Sequence, residues 1–302
     1  FMHNIVFLDA GSMGDTDLSV LANGDVALQC FEHTTAEDVV NRLAQASIAI
    51  VNKVQLSAAA LQQLPELKLI CIAATGVNNV DLDAAARLGI SVCNVRGYAN
   101  TAVPQHVIAL LLQLTNKISQ YHQAVANGLW SQSKHFCLLD YPVTELAGKN
   151  FVVIGYGALG QASAQLAKAF GMQIIVAEQP DATSCRSGRV PFLTALAQAD
   201  VISLHCPLNA QTEKLFNQQV FAAIKPGALL INTARGGLID EAALLQALRL
   251  GQLGGAALDV FAIEPAKESP LFGTPNFICT PHLGASTNEA QVNVALQVAE
   301  QM

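Results

Sequence analysis

The stretch from Phe151 to Glu178 limits the folds open to this chain more than any other. An apolar run, Phe151-Val-Val-Ile154, leads directly into Gly155-Tyr-Gly-Ala-Leu-Gly160, and a helical pattern spans Ala158 to Phe170 before Gly171 closes it. A second apolar run, Gln173 to Ala177, ends at Glu178, 18 residues after Gly160. Strand, glycine turn, helix, strand and acid in that order describe a βαβ unit, whose two strands must run parallel. Gly155 suits the tight turn, Gly157 a close approach of backbone to a pyrophosphate, and Gly160 the close packing of helix on strand. The helix N-terminus adds unpaired N–H groups and the positive end of its dipole. An acid roughly 20 residues further on accepts hydrogen bonds from ribose hydroxyls. The glycine motif alone is weak evidence; in this setting it indicates a dinucleotide site. No Arg directly follows Glu178, so a bare carboxylate there would favour NADH and repel a 2′-phosphate.

The alternation of strand and helix extends in both directions. Before it, strands are expected at 4–8, 48–51, 67–73 and 91–95, and helices at 36–46, 57–64 and 81–88, with Thr35 capping the first. A long helix is expected over 102–126, with a kink near its start at Pro104, and an irregular connection over 130–148. After the glycine unit, strands are expected at 201–204, 228–232, 255–259 and 276–279, with helices at 241–250 and 288–302. This pattern predicts an α/β protein made of two doubly wound domains. The smaller, flavodoxin-like domain is residues 1–100, completed by 286–302, and the Rossmann domain is 101–285.

Composition narrows the functional classes. Hydrophobic residues make up 52 % of the chain and charged residues 13 %, which excludes a disordered protein and suits sheets buried on both faces. Twenty-three acids against 16 bases give a net charge of −7, the wrong sign for a nucleic-acid binder. No run approaches the roughly 18 apolar residues of a membrane span. The sequence opens Phe-Met-His-Asn, with no basic region ahead of an apolar stretch, so no secretory leader is expected. Seven cysteines without a Cys-x-x-Cys pair indicate buried free thiols in a reducing, cytoplasmic setting and no metal site.

Four further segments are Ala74-Thr-Gly-Val-Asn-Asn-Val-Asp81, Asn232-Thr-Ala-Arg-Gly-Gly-Leu-Ile-Asp-Glu241, Leu258-Asp-Val-Phe-Ala-Ile-Glu-Pro265 and Thr280-Pro-His-Leu-Gly-Ala285. With the glycine loop they resemble, in order and spacing, the D-isomer-specific 2-hydroxyacid dehydrogenase family, and the resemblance covers essentially the whole chain. The first of them, with Asn94-Val-Arg-Gly-Tyr98 and Gln105-His106, resembles the glycerate dehydrogenase (hydroxypyruvate reductase) branch. The resemblance implies NAD as cofactor, a small 2-keto or 2-hydroxy acid as substrate, a homodimer, and a catalytic set of Arg235, Glu264 and His282.

The chemistry of those three side chains agrees. Reduction of a 2-keto acid needs a proton for the carbonyl oxygen and a cation for the carboxylate. An imidazole such as His282 titrates near working pH and serves as acid or base. Glu264 would hydrogen-bond the other ring nitrogen, and the planar fork of Arg235 suits a carboxylate. The resemblance further implies that Thr75 and Gly76, with Arg235 and His282, bind substrate. It implies cofactor contacts from Gly155, Gly157, Ala158, Leu159, Gly160, Glu178, His205, Pro207, Thr212, Thr233, Asp259 and Gly284. For Asp259 a capping role at a strand end is an equal alternative. His106, on the apolar face of the long helix, is expected to be a packing residue, and Ile108 to Leu114 an apolar subunit contact. Two other readings stay open: a phosphoglycerate dehydrogenase, and a corepressor-like interaction protein that binds NAD without turnover.

Overall fold

A computed structural model of the chain describes residues 3–22 and 26–302; Phe1 and Met2, at the start of the expected leaderless N-terminus, lie outside them. The chain divides into two compact units, residues 1–99 with 285–302, and residues 100–284.

The first unit is a five-stranded, all-parallel sheet with strand order β2-β1-β3-β4-β5. The strands are β1 His3–Phe7, β2 Val26–Cys30, β3 Ile48–Val51, β4 Leu69–Ile72 and β5 Ser91–Asn94. This is the flavodoxin-like order. Its strands are apolar at nearly every position because both faces are covered. Val6, Leu8, Ala49, Val51, Ile70 and Ile72 pack toward helices α1 Val39–Leu43, α2 Ala58–Leu61 and α3 Leu82–Arg87. Ile5, Phe7, Ile48, Ile50 and Cys71 face Val294, Ala295 and Val298 of the C-terminal helix, Asn288–Gln301. Capping sets several helix starts: the Asp81 carboxylate accepts the Ala84 N–H at 2.9 Å, and the Thr287 hydroxyl accepts that of Ala290 at 3.2 Å.

The second unit opens with α4 Ala102–Asn116 and α5 Ile118–Ala126, and its sheet is again all parallel, in the order β11-β10-β9-β8-β6-β7. The strands are β6 Asn150–Ile154, β7 Gln173–Val176, β8 Val201–Leu204, β9 Ala228–Asn232, β10 Leu253–Leu258 and β11 Phe277–Cys279. Helices α6 Ala158–Ala169, α7 Phe192–Gln198, α8 Gln218–Ala223 and α9 Glu241–Arg249 connect them, and the C-terminal helix of the first unit is α10. A single parallel bridge, Ala177 to Val190, lies beyond β7 where a Rossmann sheet has its third strand. Strand register then places the C-terminal ends in one row: Ile154, Leu204, Asn232, Leu258 and Cys279 are successive partners across β6, β8, β9, β10 and β11.

Several expectations need correcting. Strand β2 has no counterpart in the sequence reading, because its apolar run is only the three residues Val26 to Leu28 and no residue of this edge strand is buried. Helix α1 starts at Val39 rather than Ala36; the Thr35 hydroxyl donates to the Asp38 carboxylate instead of capping a helix. The expected long helix is two helices, broken at Lys117, whose φ of 54° lies in the left-handed region. The Lys117 ammonium donates to Asn276 Oδ1 at 3.1 Å. Pro104 makes no kink, since it falls in the first turn of α4, where a missing N–H costs nothing. Ile108, Leu110, Leu111 and Leu114 are buried within the chain, so these four side chains are not open to a subunit contact. The exposed apolar side chains lie further on, from Ile118 and Val125 through Trp130 to Phe136 (94 % exposed) and Leu139 (80 %). Of the seven free thiols only Cys71 is buried, while Cys30, Cys137, Cys185 and Cys279 are exposed on an edge strand, loops and a strand end. No helix among the described residues is long and apolar enough to cross a membrane.

Candidate active site

Every sequence-designated residue of the second unit except Glu178, which follows β7, lies in or beside a turn that leaves the row of strand ends. After β6 comes the glycine turn. Gly155 has φ 93°, and a Cβ there would stand 2.5 Å from the Cys206 amide nitrogen, so only glycine lets the β6 and β8 turns meet. A Cβ at Gly160 would stand 2.1 Å from the Gly155 carbonyl oxygen, which fixes the tight seat of α6 on β6. At Gly157 a Cβ would meet nothing within 4 Å, so the backbone there faces open space. Gln161 makes the first intrahelical bond, to the Gly157 carbonyl at 2.9 Å. The N–H groups of Ala158, Leu159 and Gly160 therefore have no partner inside the helix. A twelve-residue helix opening on such a turn is a built anion seat.

Glu178 follows β7 and is buried. Its carboxylate accepts the N–H groups of Gln179 at 2.8 Å and Arg186 at 2.9 Å, and the Arg186 guanidinium grips both oxygens. Arg189 lies 3.8 Å from the same group. The Arg186 guanidinium, with its N–H and that of Gln179, holds the Glu178 carboxyl well below the usual range. The missing adjacent Arg is thus replaced by two from further along the loop, which the sequence reading did not find.

The turn after β8 carries His205, whose ring Nε2 lies 2.9 Å from the Ser203 hydroxyl; burial pushes its pKa down to about 4, so the ring is neutral at pH 7. Thr212 closes that turn by donating its hydroxyl to the Pro207 carbonyl at 2.7 Å. After β9, the buried Asn232 side chain accepts the Ala234 N–H at 3.0 Å and donates to the Arg235 carbonyl at 2.8 Å, curling the chain around Thr233 and Arg235. The Thr233 hydroxyl is buried without a partner. Gly236 allows the next turn to close in, since a Cβ there would stand 1.8 Å from the Phe261 carbonyl carbon.

The turns after β10 and β11 are tied into one assembly. Glu264 Oε1 accepts the Phe261 N–H at 2.9 Å, and Glu264 Oε2 lies 2.6 Å from His282 Nδ1. Asp259 is buried and accepts the Thr280 hydroxyl at 2.6 Å and the N–H groups of Leu283 and Gly284 at 2.9 and 2.8 Å. Burial alone would raise the pKa of Asp259, but its hydrogen bonds, with that from His106, outweigh burial and lower it. His106 Nε2 lies 3.0 Å from the Thr280 hydroxyl and 3.5 Å from Asp259 Oδ1. It is a satisfied histidine, as expected, and also a brace for the His282 turn, which was not. His282 itself adopts φ 53°, uncommon for a residue other than glycine, and its N–H bonds to Asp259 and Thr280 carbonyls hold it there.

In the first unit, the Thr75 hydroxyl donates to the Val95 carbonyl at 3.0 Å, and Thr75 and Gly76 sit in the turn after β4. Asn79 follows three residues beyond Gly76. It is buried, and its amide donates to the Val54 and Asn52 carbonyls at 3.1 and 3.5 Å, so it is committed to the fold. Asp9, which the sequence did not single out, accepts the N–H groups of Asn52, Lys53 and Val54 and pins the neighbouring turn.

Residues 108–284 match the NAD-binding domain of the D-isomer-specific 2-hydroxyacid dehydrogenases. The chain belongs to that family. It is an NAD-dependent oxidoreductase acting on 2-hydroxy acids. A glycerate dehydrogenase of Methylorubrum extorquens is 43 % identical over 98 % of this chain and 94 % of its own length. A hydroxypyruvate reductase of Blautia hydrogenotrophica is 37 % identical over 85 % of this chain and 81 % of its own. Among solved structures, the TT0316 protein from Thermus thermophilus is 31 % identical with a TM-score of 0.86, over 98 % of this chain and 94 % of that one. The residues present fit the family's dinucleotide: a glycine cradle opening on unpaired N–H groups, a buried hydroxyl without a partner at Thr233, and a carboxylate after β7.

Proposed function

We propose that this member of the family interconverts hydroxypyruvate and D-glycerate. The observation that carries the reading is the His282–Glu264 pair, 2.6 Å apart in the same row of strand ends as the glycine turn and Arg235. The names of the two relatives reported above support the choice of substrate.

NADH, when bound, supplies the hydride to the carbonyl carbon. His282 presents Nε2 to the carbonyl oxygen, because its Nδ1 is engaged by Glu264, and it gives up a proton there in reduction or takes one in oxidation. Glu264 orients the ring through one oxygen and is itself oriented by the Phe261 N–H through the other. Arg235 holds the substrate carboxylate with its fork. Gly155, Gly157 and the first turn of α6 seat the pyrophosphate. Glu178 receives the adenosine ribose, Thr233 lends its unpaired hydroxyl, and His205 and Pro207 border the adenine side. Asp259 and Gly284 border the nicotinamide mainly by fixing the His282 turn. The acting form is a homodimer joined through the exposed apolar stretch that runs from α5 to Leu139. Seven free thiols, four of them exposed, suit a reducing compartment such as the cytoplasm.

The test is NADH oxidation against a panel of 2-keto acids. Hydroxypyruvate should give the highest kcat/KM. Negligible turnover with every member would sink the reading.

A further inference from the structure

Glu178 can receive a ribose only when one of its present partners leaves. A carboxylate has about four lone-pair sites. Here two backbone N–H groups and the Arg186 guanidinium take all of them. The carboxylate is buried at 3 % exposure and anchored by backbone, whereas the Arg186 side chain is 56 % exposed. Of the partners, only the guanidinium can leave. Arg189, 19 % exposed, stays 3.8 Å away and brings a second cation to the same carboxylate. The loop that carries both arginines is closed at its base, where Glu178 donates its N–H to Val190 at 2.8 Å and Val190 donates to Val176 at 2.9 Å. Neither arginine can drift far from the end of β7.

This arrangement alters what the acid does to a cofactor. A lone carboxylate after the second strand turns away a 2′-phosphate by like-charge repulsion, whereas a nearby Arg accommodates it. Here one carboxylate faces two guanidinium groups, so these three groups together carry one net positive charge. A guanidinium displaced from Glu178 presents a planar fork, the geometry that binds phosphate in bidentate fashion.

We propose that Arg186 is a cofactor-selecting residue: it yields Glu178 to the ribose hydroxyls of NADH, and with Arg189 it takes the 2′-phosphate of NADPH, so that the chain binds both nucleotides. This rests on the reading of the glycine turn as the dinucleotide seat, and not on which keto acid is reduced.

The test is calorimetric titration of the full chain with NADH and with NADPH, without substrate, on the unmodified protein and on Arg186→Gln, Arg186→Lys and Arg189→Gln. In the unmodified protein the two Kd values should lie within about 100-fold of each other, the scale of one or two charge-assisted hydrogen bonds. Arg186→Gln should tighten NADH, because the carboxylate loses its competitor, and weaken NADPH, so that the ratio of Kd values moves by about tenfold or more toward NADH. Arg189→Gln should move the ratio the same way by less, and Arg186→Lys, which keeps the charge without the fork, should fall between. A wider gap in the unmodified protein, or a smaller shift in Arg186→Gln, overturns the proposal. So does a parallel loss of both nucleotides in Arg186→Gln, which would make the pair merely structural. Failure of the unmodified chain to bind either nucleotide would overturn the dinucleotide seat as well. Binding of both nucleotides with no turnover of hydroxypyruvate would leave this inference standing and remove only the substrate.

Discussion

Asp259 and His282 are joined by backbone and side chain together. The His282 N–H donates to the Asp259 carbonyl at 2.8 Å, while the Asp259 carboxylate accepts the N–H groups of the two residues that follow His282. A left-handed residue at the tip of a turn holds its conformation only when its surroundings over-determine it, and Asp259 supplies most of that determination. Asp259 is therefore a positioning residue for the imidazole.

Asp259→Asn keeps the shape but replaces one acceptor oxygen with a donor, which must oppose an N–H of Leu283 or Gly284. The expected loss is about 1–3 kcal/mol of stability in denaturant melts. The expected fall in kcat is about 10–100-fold, larger than any change in KM, because misplacing an acid by an ångström slows the step without removing binding groups. A kcat within twofold of the unmodified enzyme would remove Asp259 from this role.

Glu264→Gln should show the complement. The amide still accepts from Phe261, so the turn stays folded, but the charge beside His282 is gone. A neutral amide holds the ring less firmly than a carboxylate 2.6 Å away. The kcat for reduction should therefore fall by about 10–100-fold, with NADH affinity changed by less than about threefold. A kcat within twofold of the unmodified enzyme would show that Glu264 does no more than pack.

His205 makes a prediction about acid stability. Its pKa is pushed down to about 4 by burial, against about 6.5 in an unfolded chain. The neutral ring is the folded form, so the stabilisation is complete above pH 6.5 and is lost as pH falls from there toward 4, when only the unfolded state takes the proton. The total is on the order of 3 kcal/mol. His205→Gln should melt with a shallower pH dependence in that window. An unchanged slope would mean that another group carries the acid sensitivity.

The strands were legible because parallel strands covered on both faces must be continuously apolar, and glycine turns with capping acids mark where each begins and ends. Strand β2 was not, because its apolar run is short and none of its residues is buried. Arg235, Glu264 and His282, the proposed catalytic set, stand out in the sequence as motifs, each placed just after an apolar run. Most of what braces them does not. Asp259 was singled out with a capping role as one alternative, but its partners were not: Asn232, His106 and Thr280 act through backbone atoms and through each other across as many as 174 residues, and no local spacing encodes such contacts. Arg186 was missed for a similar reason: the expectation looked for an arginine beside Glu178, whereas the loop folds one back from eight residues away.

The substrate reading yields the last prediction. Hydroxypyruvate carries a neutral CH₂OH beyond its ketone, and the turn from Thr75 to Asn79 is the polar candidate for recognising it. Because the Asn79 amide is committed to the Val54 and Asn52 carbonyls, the exposed Asn78 is left as the side chain to test. A site that hydrogen-bonds a substrate hydroxyl discriminates against an analogue without it, since its polar group is left unpaired. Hydroxypyruvate should therefore exceed pyruvate in kcat/KM by about tenfold or more, and Asn78→Ala should narrow the gap by lowering hydroxypyruvate alone. Asn79→Ala should instead lower stability, by about 1 kcal/mol for the bonds lost to two half-buried carbonyls, with both substrates affected alike. Phosphohydroxypyruvate should do worse than hydroxypyruvate at fixed NADH. If the phosphorylated acid wins, the enzyme is a phosphoglycerate dehydrogenase; if pyruvate wins, hydroxyl recognition at the Thr75–Asn79 turn is wrong while the His282–Glu264 chemistry stands.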